Sequence, residues 1–412
     1  MLVSVAWKNV WRNKLRSLIV IISITIGLLG GLFYLAFSNG MVQQQIYTSI
    51  KTEISNIQIH NPKYLLNDET KYSIPHTNEI IKKLKTLDEV KSVASRIKSV
   101  AMISSAATGT GITLLGVNPQ EEKNTTDLYT KIVKGNYFQT KLHNPIVIGE
   151  KLAEKLKVKI KSKVVVTIQD MSGNITYGAF KVAGIFDTHN SIFELSNAFV
   201  RKNDLIDLIS YKGNNVNEIA VLLKHNDLTK STSEKLKKMF STEIESKELS
   251  IKSWNEINPM LKMLNDMTIQ FTMIFVIIIL VALSFGIVNT MLMAIMERVR
   301  EIGMLMAIGM SKARVFIMIM LETVFLSITG GILGLFLSWV VITITNKTGI
   351  DLDSVAEGLN SLGYSSFVRP ELGIFFYFFI ASLVIITAMF ASIFPARKAL
   401  KLKPAEAVRQ DV

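Results

Sequence analysis

The chain has 412 residues, 49% of them hydrophobic, and a mean hydropathy of +0.34. That is too apolar for a soluble chain with a polar shell and too charged for one embedded throughout, so membrane spans plus a sizeable aqueous domain are expected. The formal charge of +13 suggests a nucleic-acid partner, but the basic residues gather beside long apolar runs, which points to phospholipid headgroups and insertion topology instead. With no cysteine, a disulfide framework, a thiol nucleophile and a thiolate metal site are all excluded.

In chain order, residues 1–17 form a basic segment holding Lys8, Arg12, Lys14 and Arg16 and no acid. The first span is predicted over 18–38, where Leu18 to Phe37 carries no charge and reaches the length of about 20 apolar residues that a bilayer requires. Its apolar core is too long for a cleaved signal peptide, so it reads as a membrane helix. A large insert, 39–268, follows. The second span is predicted over 269–294, a charged segment over 295–314, the third span over 315–344, a loop over 345–372, the fourth span over 373–394 and a tail over 395–412. Basic residues recur in the charged segment (Arg298, Arg300, Lys312, Arg314) and in the tail (Arg397, Lys398, Lys401, Lys403, Arg409), whereas the 345–372 loop carries Asp351, Asp353, Glu357 and Glu371. The positive-inside rule therefore predicts a multi-pass protein with both termini and the 295–314 segment cytoplasmic, and with the insert outside.

The insert reads as a folded α+β domain of roughly 230 residues, large enough to bury its own core as one or two subdomains. Helices are predicted at Asn78–Leu87, Glu150–Leu156, Lys202–Ile209 and Leu228–Phe240. Strands are predicted at Lys163–Gln169 and Ile175–Ile185, joined by a hairpin turn at Asp170–Asn174. Helical extensions through Asn39–Lys51 and Ser253–Asp266 would make stiff stalks between the insert and the spans. The five histidines show no metal-ligand spacing and read as surface or hydrogen-bonded residues.

The 295–314 segment is the most informative stretch. Glu297, Arg298, Arg300 and Glu301 place opposite charges at helical neighbour spacing, and Ile302, Leu305 and Met306 form an apolar stripe. Gly309 and Ser311 are expected to end this short helix and start the next. Taken alone, the pattern fits an interfacial helix lying on lipid.

The sequence E-R-x-R-E-I-G-x-L-x-A-I-G from Glu297 to Gly309, with Asn289 before it and Leu321-Glu322 after it, resembles the FtsX-like permease family of ABC transporters. The opening Ala6–Arg16 and the tail Phe394–Arg409 are similar to the same family. The resemblance implies that the segment between the second and third spans is a coupling helix docking on an ATP-binding subunit, through Glu297, Arg298, Arg300, Glu301, Gly303, Ala307 and Gly309. No Gly-Lys dipeptide occurs, so a Walker-A phosphate loop is absent from this sequence and the ATPase, with its ATP and magnesium, is expected on a partner chain. The chain itself is expected to be non-catalytic, with no catalytic residue and no metal site. The resemblance also implies pairing with a second permease chain, in a homodimer or heterodimer. It places the first span, with Gly27, Gly31, Phe33 and Phe37, at the dimer seam and substrate cavity.

Gly27-x-x-x-Gly31 and Gly330-x-x-x-Gly334 fit the small-residue pattern for close helix packing. Glu322 is an acid within the third span, about 12 Å along the helix from Arg314, and a structural pairing near the cytoplasmic interface is expected of it. Leu115–Pro119, Ile146–Ala153 and Val182–Phe186 resemble the periplasmic core of lipoprotein-releasing permeases, whose implied job is extruding lipoproteins or other amphipathic substrates from the inner membrane. The 163–182 hairpin has too short a turn for the protruding hook that recruits a periplasmic carrier, so recruitment of a carrier or adaptor stays open. Two alternatives remain: a MacB-like exporter of peptides or drugs, and a mechanotransmitter regulating a cell-wall hydrolase. Nucleic acid is not an expected partner.

Overall fold

The computed structural model describes residues 2–400 except 212, 214, 362, 363, 365 and 366. The tail residues Lys401, Lys403 and Arg409, and the motif from Lys403 to Arg409, lie outside the described residues. The chain divides into two compact units, one of residues 1–41, 266–351 and 367–412, the other of residues 42–265 and 352–366.

The first unit is helical. Its elements are α1 (Leu2–Arg12), α2 (Lys14–Ser49), α3 (Pro259–Glu297), α4 (Val299–Ala307), α5 (Lys312–Thr348) and α6 (Ile374–Leu400). Four of these, α2, α3, α5 and α6, are long and apolar enough to cross a membrane. In α1, Ala6 and Val10 are buried and lie four residues apart, the spacing of one helix face. Trp7 packs edge-on against Phe325 of α5 at a ring separation of 5.3 Å. Both small-residue motifs are used within the chain. A Cβ on Gly330 or Gly334 would come within 3.0 Å and 2.9 Å of Ile24 and Leu28, so these glycines let α5 approach α2 closely. Gly27 and Gly31 meet Leu283 and Ile279 of α3 in the same way, at 2.8 Å each.

The second unit is built on ten strands: β1 (Ile57–His60), β2 (Val90–Ser104), β3 (Gly109–Val117), β4 (Ile132–Gly135), β5 (Pro145–Gly149), β6 (Lys163–Gln169), β7 (Ile175–Phe186), β8 (Asn197–Arg201), β9 (Glu218–Leu223) and β10 (Ser250–Ser253). Pairings β2–β3, β3–β8, β8–β5, β5–β7, β7–β6 and β6–β2 close a six-stranded ring. The long β2 belongs to both halves of the sheet: Ala101–Ser104 pair with β6, and Val90–Arg96 pair with β9, which leads on to β1 and β10. Closure removes sheet edges, and the interior is filled by alternating apolar residues such as Ile103, Leu114, Ile148, Val166, Phe180 and Val200. A second core gathers Tyr137, Phe138, Phe186, Phe193 and Phe199.

The hairpin forms as its turn residues dictate. Asp170 Oδ1 accepts hydrogen bonds from the backbone of Ser172 and Asn174, both at 2.8 Å, in an Asx-type turn. Helices lie at Thr77–Lys85, Glu150–Leu156, Lys202–Leu208 and Thr229–Met239. One sequence expectation needs correction. Asn39 onward is helical through α2 and the π-helical turn Ile50–Ile54, but Ser253–Asp266 is not one helix. A short helix Trp254–Ile257, held by a Ser253/Glu256 capping box, ends at Asn258, and α3 restarts at Pro259. The residue before a proline is disfavoured in helical geometry, and Asn258 is at φ −117°, ψ 86°.

Candidate functional site

The segment between the second and third spans is shaped by two backbone breaks. α3 runs to Glu297, Arg298 leaves helical geometry at φ −114° and ψ 18°, and α4 covers Val299–Ala307. At the far end Gly309 sits at φ +103°, a conformation that suits glycine. Its amide donates to Met306 O and that of Met310 to Leu305 O, the paired bonds of a Schellman ending. Ser311 then starts α5 from an extended conformation, without a side-chain cap.

The seven predicted coupling residues do not share one face. Glu297, Arg300, Ala307 and Gly309 are exposed. Gly303 is buried with Val299 and Ile302 on the inner face of α4. Arg298 and Glu301 are engaged inside the chain: Arg298 Nε donates to Glu301 Oε2 at 3.1 Å. The predicted stripe of Ile302, Leu305 and Met306 is inward or half-buried, while Met304 and Ile308 point outward, Ile308 at 85% exposure. The outer surface of this segment is thus apolar at Met304 and Ile308 and charged at Arg300.

Glu322 finds its partners away from Arg314. Arg298 Nη1 lies 3.3 Å from Glu322 Oε2, and Asn9 Nδ2 donates to Glu322 Oε1 at 2.7 Å. Arg12 of α1 pairs with Glu301. The result is an alternating row, Arg12, Glu301, Arg298, Glu322, closed by Asn9. Within it Glu301, at the unit surface, is held below the usual carboxylate range, chiefly by its hydrogen bond from Arg12, with burial opposing it and Arg298 adding to the lowering.

A second feature lies between α2 and α3, a groove of about 550 Å³. Gly27, Gly30, Gly31 and Tyr34 line one wall, and Phe275, Ile279, Leu283 and Gly286 are among the residues of the other. Of its hydroxyl side chains, Ser23 and Thr290 donate to carbonyls of their own helices, and Tyr34 is the third. Tyr34 and Phe275 stack at its rim with ring centres 3.8 Å apart. Of the residues predicted for a cavity, Gly27 and Gly31 are here; Phe33 and Phe37, both half-buried, are not among the lining residues. Sequence reading missed the α3 wall, although Ala282-x-x-x-Gly286 is a small-residue pair of the kind it used elsewhere.

The insert domain holds a third cluster that the sequence did not announce. Arg96 donates to both oxygens of Glu122, at 3.0 and 2.7 Å, to Glu218 Oε1 at 2.8 Å, and to the carbonyl of Glu53 at 2.8 Å. All three charged side chains are about 1% exposed. Burial works against the Arg96 charge, but Glu122 and Glu218 outweigh it and raise its pKa. Burial likewise pushes Glu218 up, and Lys98, Arg96 and His60 outweigh it and keep the carboxyl low. His60 is buried between Asn217 O and Gln58 Oε1, each at 2.8 Å, and desolvation holds it below the usual imidazole value. Among the described residues no group of three or more His, Asp or Glu side chains could hold a metal ion.

A chain with four membrane-crossing helices, an α+β domain between the first two, and a short surface helix between the second and third has the build of a transporter's membrane subunit. Comparison with known proteins gives the class. Residues 17–239 match the MacB-like periplasmic core domain and residues 273–404 the FtsX-like permease C-terminal family. The chain belongs to the FtsX-like ABC transporter permeases that carry a MacB-like periplasmic core domain, and it is a multi-pass membrane protein. An uncharacterized ABC transporter permease of Methanocaldococcus jannaschii is 25% identical, across 99% of this chain and 97% of its own. The lipoprotein-releasing system transmembrane protein LolC of Neisseria meningitidis is 22% identical, across 97% and 96%. The macrolide export ATP-binding/permease protein MacB of Neisseria gonorrhoeae is 24% identical over 97% of this chain and 59% of its own length.

Proposed function

We propose that this chain is the permease half of an ABC transporter that extrudes lipoproteins or similar amphipathic molecules from the inner membrane toward the periplasm. The observation that carries the substrate class is the α2–α3 groove: about 550 Å³, walled mostly by glycine and apolar side chains, with no charged residue in its lining and with the Ser23 and Thr290 hydroxyls turned to backbone carbonyls. Such a groove offers a hydrocarbon chain largely apolar contact, and offers a charged solute no ion partner. In this reading both termini and α4 are cytoplasmic and the insert domain is periplasmic. A second permease chain faces α2, and ATP and magnesium are held by a separate ATP-binding subunit. That subunit docks on the outer surface of residues 295–314, at Arg300, Met304, Ala307, Ile308 and Gly309. Arg298, Glu301 and Gly303 hold that surface from within rather than touching the partner.

The MacB match over 17–239 and the short 170–174 turn favour a second reading, an exporter of peptides or macrolide-like molecules working with a periplasmic adaptor. Reconstitution separates the two. The chain, its partner permease if one exists, and the ATP-binding subunit are placed in vesicles loaded with a triacylated lipoprotein. ATP-dependent release of the lipoprotein is the expected outcome. Release of none, with ATP hydrolysis stimulated instead by a macrolide or peptide, would replace the first reading with the second.

A further inference from the structure

α4 is nine residues long and bounded by the breaks at Arg298 and Gly309. A helix this short does not hold an orientation by its own hydrogen bonds, so its pose depends on what its side chains touch. Three of its residues are buried, Met306 packs partly buried against the same core, and further ties run through charges. Glu301 is shared by Arg12 and Arg298, and Glu322 by Arg298 and Asn9. Two of those donors, Asn9 and Arg12, stand one turn apart on α1, which is itself fastened to α5 by buried Ala6 and Val10 and by the Trp7–Phe325 contact. α1 therefore reaches α4 and α5 at once, and it does so with the side chains that complete the charged row.

We infer that α1 is part of the coupling element and that Asn9 and Arg12 are positioning residues that lock α4 to α5, so that a push on α4 is delivered to the third span. This rests on the reading of α4 as the docking helix. Without Arg12 the row has two acids for one base, and α4 can swing about its two breaks. Without Asn9, Glu322 loses its shortest donor.

The test uses the full-length chain in lipid nanodiscs, first with no partner present. Because the chain has no cysteine, Ile308→Cys takes a single nitroxide at a position 85% exposed. In the otherwise unchanged chain the label reports a restricted α4. Arg12→Ala raises the mobile fraction about threefold, because that pair is half exposed. Asn9→Ala raises it too, but by less than Arg12→Ala, because its bond to Glu322 runs from α1 to α5 and reaches α4 only through Arg298. Arg12→Lys restores most of the restriction, and Lys8→Ala, exposed on the same helix, changes nothing. Identical spectra for Asn9→Ala, Arg12→Ala and the parent would overturn the inference. The second readout is ATP consumed per substrate released in the assembled transporter, expected to rise about threefold in Arg12→Ala with the ATP-binding subunit still bound. Loss of that subunit from Arg12→Ala with an unchanged label spectrum would place Arg12 at the partner's surface and refute the positioning role. Failure of any ATP-binding subunit to associate with the parent chain would instead sink the docking reading, while the spin-label result stays decisive for the lock.

Discussion

Two charged networks, one in each unit, are built from the same residue types and treat water oppositely. Arg96, Glu122 and Glu218 in the insert domain are about 1% exposed and hold their partners at 2.7–3.0 Å. In the membrane unit the Arg298–Glu322 pair is 17% and 11% exposed, and Arg12–Glu301 54% and 42%. A sealed network is costly to break, because removing one partner strands a buried charge, whereas an open one is remade at little cost. The first belongs to a domain whose strands close on themselves. The second sits at a helix bounded by two breaks.

The sharpest way to break the comparison is Arg96→Met. It leaves Glu122 and Glu218 buried together, and a loss of about 3–5 kcal/mol is expected. Hydrogen exchange on the full-length chain should show β2 and β9 losing protection by a factor of hundreds or more, with α5 unaffected. Unchanged protection would mean that the cluster is not what fastens these strands.

Another buried acid in the same domain sharpens the point. Glu194 takes its hydrogen bonds from Thr188, at 2.8 Å from the amide and 3.2 Å from the hydroxyl, rather than from an arginine. Burial is the main cause that pushes its carboxyl up to about 7, with Asp187 adding to it. The folded state therefore binds this proton more tightly than the unfolded chain. The stabilisation is fully present below the ordinary carboxylate value and is lost as pH rises through about 7. The expected change is about 1–3 kcal/mol across that window. Protection factors of the amides of helix Ser191–Ser196, with the intrinsic pH dependence of exchange divided out, should fall between pH 5 and 8, and Glu194→Gln should flatten that fall. Gln leaving the slope intact would assign it to another group.

The smallest expected effect lies at the break that ends α4, beside the open network. Gly309→Ala forces a φ of +103° on a residue with a Cβ, at about 1–2 kcal/mol locally. The melting of the insert domain should not move, while substrate release per ATP falls severalfold. A drop in protein yield with normal coupling would show that the bend serves folding and not transmission.

Much of this was legible in the sequence because it is local. The 170–174 turn, the helix Glu150–Leu156 and the ending of α4 at Gly309 are each set by a few neighbouring residues. The partners of those elements were not legible. Periodicity says which face of α2 carries Gly27 and Gly31, but not that α3 of the same chain fills it. Arg96 looks like any base in a strand, and its acids come from a distant helix and β9. The opening motif around Asn9 was visible, yet Arg12 and Glu301 are 289 positions apart, and nothing in spacing joins them. Glu322 takes its partners from Arg298 and Asn9 rather than from Arg314, the base that spacing along its own helix offered.

The central claim, that residues 295–314 are the docking surface for a separate ATPase, is tested most directly by a photo-activated cross-linker. It is placed at Ile308 in the full-length chain and irradiated in native membranes, with Tyr177 on the insert domain as the second position. The account predicts a covalent product with an ATP-binding subunit from position 308 and none from 177. Capture of that subunit from 177, or of no ATP-binding protein from 308 while the transporter is active, would contradict it.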